Sequence, residues 1–115
     1  MRYEIRTLND IAIFSLTGRM MGDKWTSNLY DEAKSLIGRG FKNIIIDLRQ
    51  IEYINSIGLG VIIACRTSTI RSGGNLKLIG INDNIRKYFS ITSLESYFDF
   101  YKSEEEALAS LSKKS

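Results

Sequence analysis

Few residues in this chain could do covalent or metal chemistry. Among its 115 residues there is no His and one Cys, Cys65. That excludes a His-ligated zinc site, a Cys cluster, a His-based triad and a disulfide framework. The remaining candidates are the carboxylates Asp23 and Asp47 and the hydroxyl of Ser56, in the run Tyr53-Ile54-Asn55-Ser56-Ile57-Gly58-Leu59-Gly60-Val61. No His, Cys pair or Lys set accompanies Ser56, so a hydrolase or transferase built on it would lack its base. Two carboxylates could hold Mg²⁺. Asp47 ends an apolar strand, however, and bonding to loop N–H groups is its expected work. We therefore expect no enzyme, no cofactor and no metal site.

Asn55 and Ser56 are both good helix N-cap types, placed where an apolar helical pattern begins. Gly58 and Gly60 fall in or near the first turn and cost that helix about 1 kcal/mol each relative to Ala. Glycines there allow another backbone, or a phosphate, to approach closely. Ser56 can be read as a cap or as a functional hydroxyl, and the glycines as packing or as access. The Gly58-x-Gly60 pair is no dinucleotide fingerprint, because Ile63 stands where a third small residue is needed. No Gly-Lys-Ser/Thr follows, so it is no P-loop.

The elements that must position this run can be read from periodicity. Tyr3 to Leu8 and Ile11 to Thr17 are strands joined by the Asn9-Asp10 turn, with Gly18 closing the second. Asp23 to Ile37 has helical period, with Trp25, Leu29, Ala33, Leu36 and Ile37 on one face, and Gly38 and Gly40 end it. Asn43 to Leu48 is a continuous apolar run, the pattern of a strand buried on both faces. A loop is expected from Leu48 to Ser56, then a helix from Ser56 to Arg71, ended by Gly73-Gly74. Its inner face is expected to carry Leu59, Ile62, Ile63 and Ile70. Ile57, Val61 and Ala64 fall roughly opposite, an apolar patch that suggests a partner surface. Leu76 to Ile81 is a strand, Asn82 or Asp83 caps a short helix with Ile85 and Phe89 inward, and Phe98 to Tyr101 is the last strand. Ser103-x-x-Glu106 is a capping box for a final helix with Ala107, Leu108 and Leu111.

The order β-β-α-β-α-β-α-β-α implies an α/β fold: a mixed, mainly parallel sheet of four to five strands with about four helices. With no Pro, repeat or linker, residues 1–115 are expected to form a single domain. Partners of such sheets usually meet the carboxyl ends of the strands. The net charge is +3, and the only adjacent basic pairs are Arg86-Lys87 and Lys113-Lys114. So scattered a set of cations does not suggest nucleic-acid binding. There is no run of eighteen apolar residues to span a membrane, and Met1-Arg2-Tyr3-Glu4 lacks the apolar run of a signal peptide. A cytoplasmic protein without a membrane partner is expected, and the lone Cys65 agrees with a reducing compartment.

Asp47-Leu48-x-x-Ile51-x-Tyr53-Ile54-Asn55-Ser56-Ile57-Gly58-Leu59-Gly60, in this element order, resembles a STAS domain of the bacterial anti-sigma factor antagonist family. The likeness covers nearly the whole chain. Gly73-Gly74 and the following strand also resemble the family's next segment. The resemblance implies that Ser56 is phosphorylated by a serine kinase that is also the anti-sigma factor. The unphosphorylated form would bind that kinase and free a sigma factor, and a PP2C-type phosphatase would reset the switch. It implies a partner surface of Asp23, Asn55, Ile57, Gly58, Leu59, Gly60 and Val61, and a role in signal transduction and transcription regulation. The chain departs from the family at Asn55, where Asp is usual, at Ile57, where Ser or Thr is usual, and at Met21, where an acid is usual. Asn55 and Ile57 leave a second reading open, a constitutive STAS interaction module with Ser56 only a cap.

Overall fold

A computed structural model describes residues 1–112. The Lys113-Lys114 pair lies outside them. The chain runs β1 (Arg2–Leu8), β2 (Ile11–Met20), α1 (Lys24–Gly38), β3 (Asn43–Ile54), α2 (Ser56–Arg71), β4 (Leu76–Ile79), α3 (Asp83–Ile91), a short 3₁₀ turn (Glu95–Tyr97), β5 (Asp99–Tyr101) and α4 (Glu104–Ser112). The five strands form one sheet in the order β1-β2-β3-β4-β5. The β1–β2 pair is antiparallel and the other three are parallel. This is the expected α/β architecture and element order.

The strand order decides where the helices lie. Each crossover from β2 onwards steps in the same direction, so right-handed connections place α1, α2 and α3 on one face. Side-chain parity agrees. Ala12, Phe14 and Leu16 of β2, Ile44, Ile46 and Leu48 of β3, and Leu76 and Leu78 of β4 pack into the core with Leu29, Ala33, Leu36, Ile62, Cys65 and Phe89 of those helices. Ile11, Ile13, Ile45 and Ile79 face the other way, against Ala107 of α4. Two covered faces explain the unbroken apolar run of β3.

Two expectations about strand ends need correction. β2 does not stop at Gly18 but passes through it, at φ +99°, to Met20. The segment after Leu48, expected as a loop, is strand as far as Ile54. The register explains why. Ser15 pairs with Asp47 but Thr17 with Gln50, and Gly18 pairs with Ile51 but Arg19 with Tyr53. β3 therefore carries one extra residue at each of two bulges. Its inward residues run Leu48, Ile51, Ile54, a spacing of three that hides a strand from any period-two reading.

The helix faces also shift. On α1, Thr26 rather than Trp25 takes the first buried position, and Trp25 sits at the rim with its ring edge-on to Tyr3. On α2 the buried stripe is Leu59, Ile62, Cys65 and Thr69, while Ile70 is 42% exposed. Val61 and Ala64 are only half-exposed. Being the middle of three crossover helices, α2 is flanked on two sides. Tyr30 of α1 reaches Ser68 at 3.4 Å, and the Arg66 guanidinium lies 4.0 Å above the Tyr97 ring. Asn82, not Asp83, caps α3, and its amide also donates to the Ile51 carbonyl at 3.2 Å. Ser103 accepts from the Glu106 N–H, while the Glu106 carboxylate reaches back to the N–H of Lys102.

Candidate functional site

The site is built where β3 ends and α2 begins, at the carboxyl edge of the sheet. Asn55 is the N-cap of α2. Its Oδ1 accepts from the N–H groups of Ile57 and Gly58, both at 3.0 Å. Its own N–H donates to the Met20 carbonyl at 3.0 Å, and its carbonyl accepts from the Leu59 N–H at 2.9 Å. Asn55 thus satisfies helix donors left over by the first turn and ties the turn to the end of β2. Ser56 is the first residue of the helix and is exposed. The cap is Asn55, so Ser56 is left with a free-standing position on a rigid helix end. The first turn of α2 contains no acidic residue. Negative charge added there meets the positive end of the helix dipole, and no carboxylate of the same turn opposes it.

The two glycines do different things. A Cβ on Gly58 would lie 2.8 Å from the Met20 Cβ and 2.9 Å from both the Met20 carbonyl oxygen and the Ile54 Cγ1. Only Gly lets α2 come so close to the ends of β2 and β3. Gly60 is exposed, with no heavy atom within 4 Å of where its Cβ would be. It leaves the helix surface bare one turn beyond Ser56.

Of the residues expected to form a partner surface, Ile57 is 57% exposed and Gly60 is open, whereas Val61 is half-buried. Leu59 and Gly58 are buried, and their place is inward. Leu59 faces the core because the inner stripe of α2 starts with it, and Gly58 is pressed onto Met20. Asp23 caps α1 rather than joining the Ser56 turn through a contact of its own. Its carboxylate accepts from the Thr26 N–H at 3.0 Å and the Thr26 hydroxyl at 2.8 Å. The Met1 ammonium lies 2.8 Å from its Oδ2. That ammonium, then Thr26, holds the Asp23 carboxyl down at about 2. Asp47 is gripped by the Arg49 side chain, with contacts of 2.7 to 3.2 Å, and by the Arg49 N–H at 3.0 Å. Burial opposes ionisation of Asp47, but the Arg49 bonds outweigh it and its pKa is lowered. Each carboxylate is thus committed to a structural partner.

Two features of the site were not legible as such. Gly22, at φ +92°, brings the β2–α1 turn against Ile57, whose Cδ1 would be 3.0 Å from a Cβ there. Met21, next to Gly22 in sequence, is exposed as Ile57 is, so the turn and the helix end each present an apolar side chain at this rim. A cavity of about 300 Å³ opens between the end of β3 and α3, lined by Tyr53, Ile54, Ile85, Tyr88 and Ile91. The spacing Leu48-Ile51-Ile54 is the signal that could have revealed it, since it betrays the bulged strand that forms one wall.

Comparison with known proteins places this geometry. A model of the STAS domain matches residues 2–107. The anti-sigma-B factor antagonist of Bacillus subtilis is 32% identical over 97 residues, covering 84% of this chain and 86% of its own. A Thermotoga maritima protein provisionally named an anti-sigma factor antagonist is 30% identical over 91 residues, covering 79% of this chain and 75% of its own. Solved structures of the anti-sigma factor antagonist SpoIIAA are similar in fold. Its unphosphorylated form has a TM-score of 0.82 and its phosphorylated form 0.76. Both are 17% identical and cover 94% of this chain, with 94% and 97% of the respective SpoIIAA chain covered.

Proposed function

The chain belongs to the STAS domain family, and from that premise we propose that it is an anti-sigma factor antagonist switched by phosphorylation of Ser56. Unphosphorylated, it binds a serine kinase that is also the anti-sigma factor and so releases a sigma factor. Phosphorylated, it lets the kinase go, and a PP2C-type phosphatase restores it. In this reading residues 1–115 work as one domain, as a ligand and substrate rather than an enzyme, in the cytoplasm. Among the described residues no helix is long and apolar enough to cross a membrane.

The observation that carries the reading is the exposed Ser56 hydroxyl on the first turn of a capped helix, beside the exposed Ile57 and Met21. A phosphate adds about −1.5 to −2 charges. On the domain itself the helix dipole compensates that charge, so the fold tolerates it. A partner packed on the apolar rim would have to bury or repel it. A penalty of ~3 kcal/mol weakens binding ~100-fold, enough for a switch. Ile57, Gly60, Met21 and the edge of Val61 supply the contact. Asn55, Gly58 and Leu59 support it from beneath, and Asp23 anchors the neighbouring helix end.

The second reading, a constitutive interaction module, is favoured by one feature. Asn55 Oδ1 already uses the N–H groups of Ile57 and Gly58, so a phosphate would compete for them. Immobilised wild type, Ser56→Ala and Ser56→Asp separate the readings when lysate with ATP is passed over each and retained proteins are identified. The switch requires Ser56→Ala to keep a kinase-like ATPase that Ser56→Asp loses. Equal retention by all three assigns the constitutive role.

A further inference from the structure

The amino-terminal ends of the strands, opposite Ser56, gather cations that the sequence scatters. The connections there lie side by side. The Asn43 N–H donates to the Asp10 carbonyl at 3.1 Å, the Ile44 N–H to the Asn75 carbonyl at 3.0 Å, and the Asn75 N–H to Asn43 Oδ1 at 2.8 Å. Lys42 lies against Gly74, where a Cβ would overlap its carbonyl, and its Cε is 4.0 Å from that of Gly73. Arg39 follows the end of α1 and Arg71 ends α2. Lys34 and Arg71 both line a crevice of about 340 Å³, together with Tyr30, Ser68 and Ser72. Lys34, Arg39, Lys42 and Arg71 are all exposed. Among the described residues none of the four lies within 4.0 Å of a carboxylate, whereas Arg6, Arg49, Lys77 and Arg86 all do. The nearby acids Asp31 and Glu32 act on Tyr3 at the edge strand, away from the crevice. Asp10 is the one acid in these connections.

Apolar side chains accompany the cations. Leu8, at the same end of the β1–β2 hairpin, is 47% exposed, and Ile70 in the last turn of α2 is 42% exposed. Basic and apolar groups gathered at one end of the molecule suit the headgroup layer of an anionic bilayer. A nucleic-acid backbone would leave Leu8 and Ile70 without a partner. Helix dipoles account for cations at the ends of α1 and α2, but not for Lys42 or for the exposed apolar pair.

We propose that this end of the molecule rests on an anionic phospholipid surface, with Lys34, Arg39, Lys42 and Arg71 meeting headgroup phosphates and Leu8 and Ile70 entering the interface. Ser56 sits at the far end of β3, so both surfaces can be occupied at once. The proposal does not depend on how Ser56 is used.

The test is co-sedimentation with vesicles of equal parts phosphatidylcholine and phosphatidylglycerol, against pure phosphatidylcholine. The expected result is roughly 600-fold preference for the anionic vesicles at low salt, about 1 kcal/mol for each of the four cations, fading as salt rises. Lys42→Gln with Arg71→Gln should lower it by about 25-fold, and Lys34→Gln with Arg39→Gln provides a second, independent pair. Arg19→Gln with Lys24→Gln, at the other end, should leave it unchanged. Equal binding to both vesicles would overturn the proposal, as would full binding by both basic-patch pairs. Release from the vesicles by low concentrations of a DNA duplex or of polyglutamate would assign the patch to another polyanion and overturn the lipid surface.

Discussion

The Asn55 N–H donates to the Met20 carbonyl at 3.0 Å, and this bond fixes where α2 starts relative to the end of β2. Met20 is fully buried, so its carbonyl is a rigid acceptor. Gly58 then presses onto the same residue, and Ser56 is held between the two contacts.

Gly58→Ala should destabilise the fold by about 1–3 kcal/mol, because the overlap with Met20 outweighs the gain in helix propensity. Gly60→Ala should stabilise it by up to about 1 kcal/mol, since its Cβ would meet nothing. Urea unfolding midpoints check both. Equal shifts in one direction would contradict the different surroundings of the two glycines.

Asn55→Ala should cost about 1 kcal/mol through loss of two cap bonds. Asn55→Asp keeps the acceptor and should match wild type at neutral pH. Thermal unfolding of the three proteins at pH 7 reads the outcome. A fully stable Asn55→Ala would mean that the turn is held by Met20 and Gly58 alone.

Part of the acid sensitivity should trace to Asp23, beside the part that Asp47 contributes through Arg49. Its carboxyl is held at about 2 in the fold against an ordinary 3.8. A depressed carboxyl contributes stability that is complete above the ordinary value and is lost as pH falls from about 4 through 2. Asp23→Asn should remove that part of the slope while leaving unfolding above pH 5 nearly parallel to wild type. Stability measured against pH in urea would show an unchanged acid limb if the Met1 and Thr26 contacts were inconsequential.

Cys65 should be inert in the folded protein. It is buried, and burial pushes its thiol up to about 12. The thiolate needed for reaction is therefore scarce. Labelling with an aromatic disulfide reagent at pH 8 should be slow without denaturant and stoichiometric in it. Prompt labelling of native protein would place Cys65 outside the core.

Legibility in the sequence followed local regularity. Asn43 to Leu48 and Ser56 to Arg71 stand where their patterns placed them, because an unbroken apolar run and a helix bounded by Asn55 and Gly73 each have one sensible conformation. The stretch from Arg49 to Ile54 did not, since two bulges changed its inward spacing from two to three. Trp25 looked like core by period alone, yet position 26 is the one turned under the sheet, and a Thr closes it with its hydroxyl bonded to Asp23. The place of Ser56 at the start of α2 was legible from its neighbours Asn55 and Gly58. The inward placing of Leu59 was legible from the period of α2, but that of Gly58 was not, because it depends on how closely α2 approaches Met20 and Ile54.

The strand order has a consequence for synthesis. Each strand of the sheet lies beside the one made just before it, so the molecule can be assembled outward from the amino-terminal hairpin as the chain leaves the ribosome. Every crossover closes a loop of a few dozen residues, and no early strand must wait for a late one. The turn holding Ser56 is complete once α2 has docked, before β5 and α4 exist. A stalled or truncated chain would still display the Ser56 hydroxyl while leaving Ile45 and Ile79 uncovered. Quality control by chaperones and proteases would therefore fall on the late-made face, the one sealed by α4.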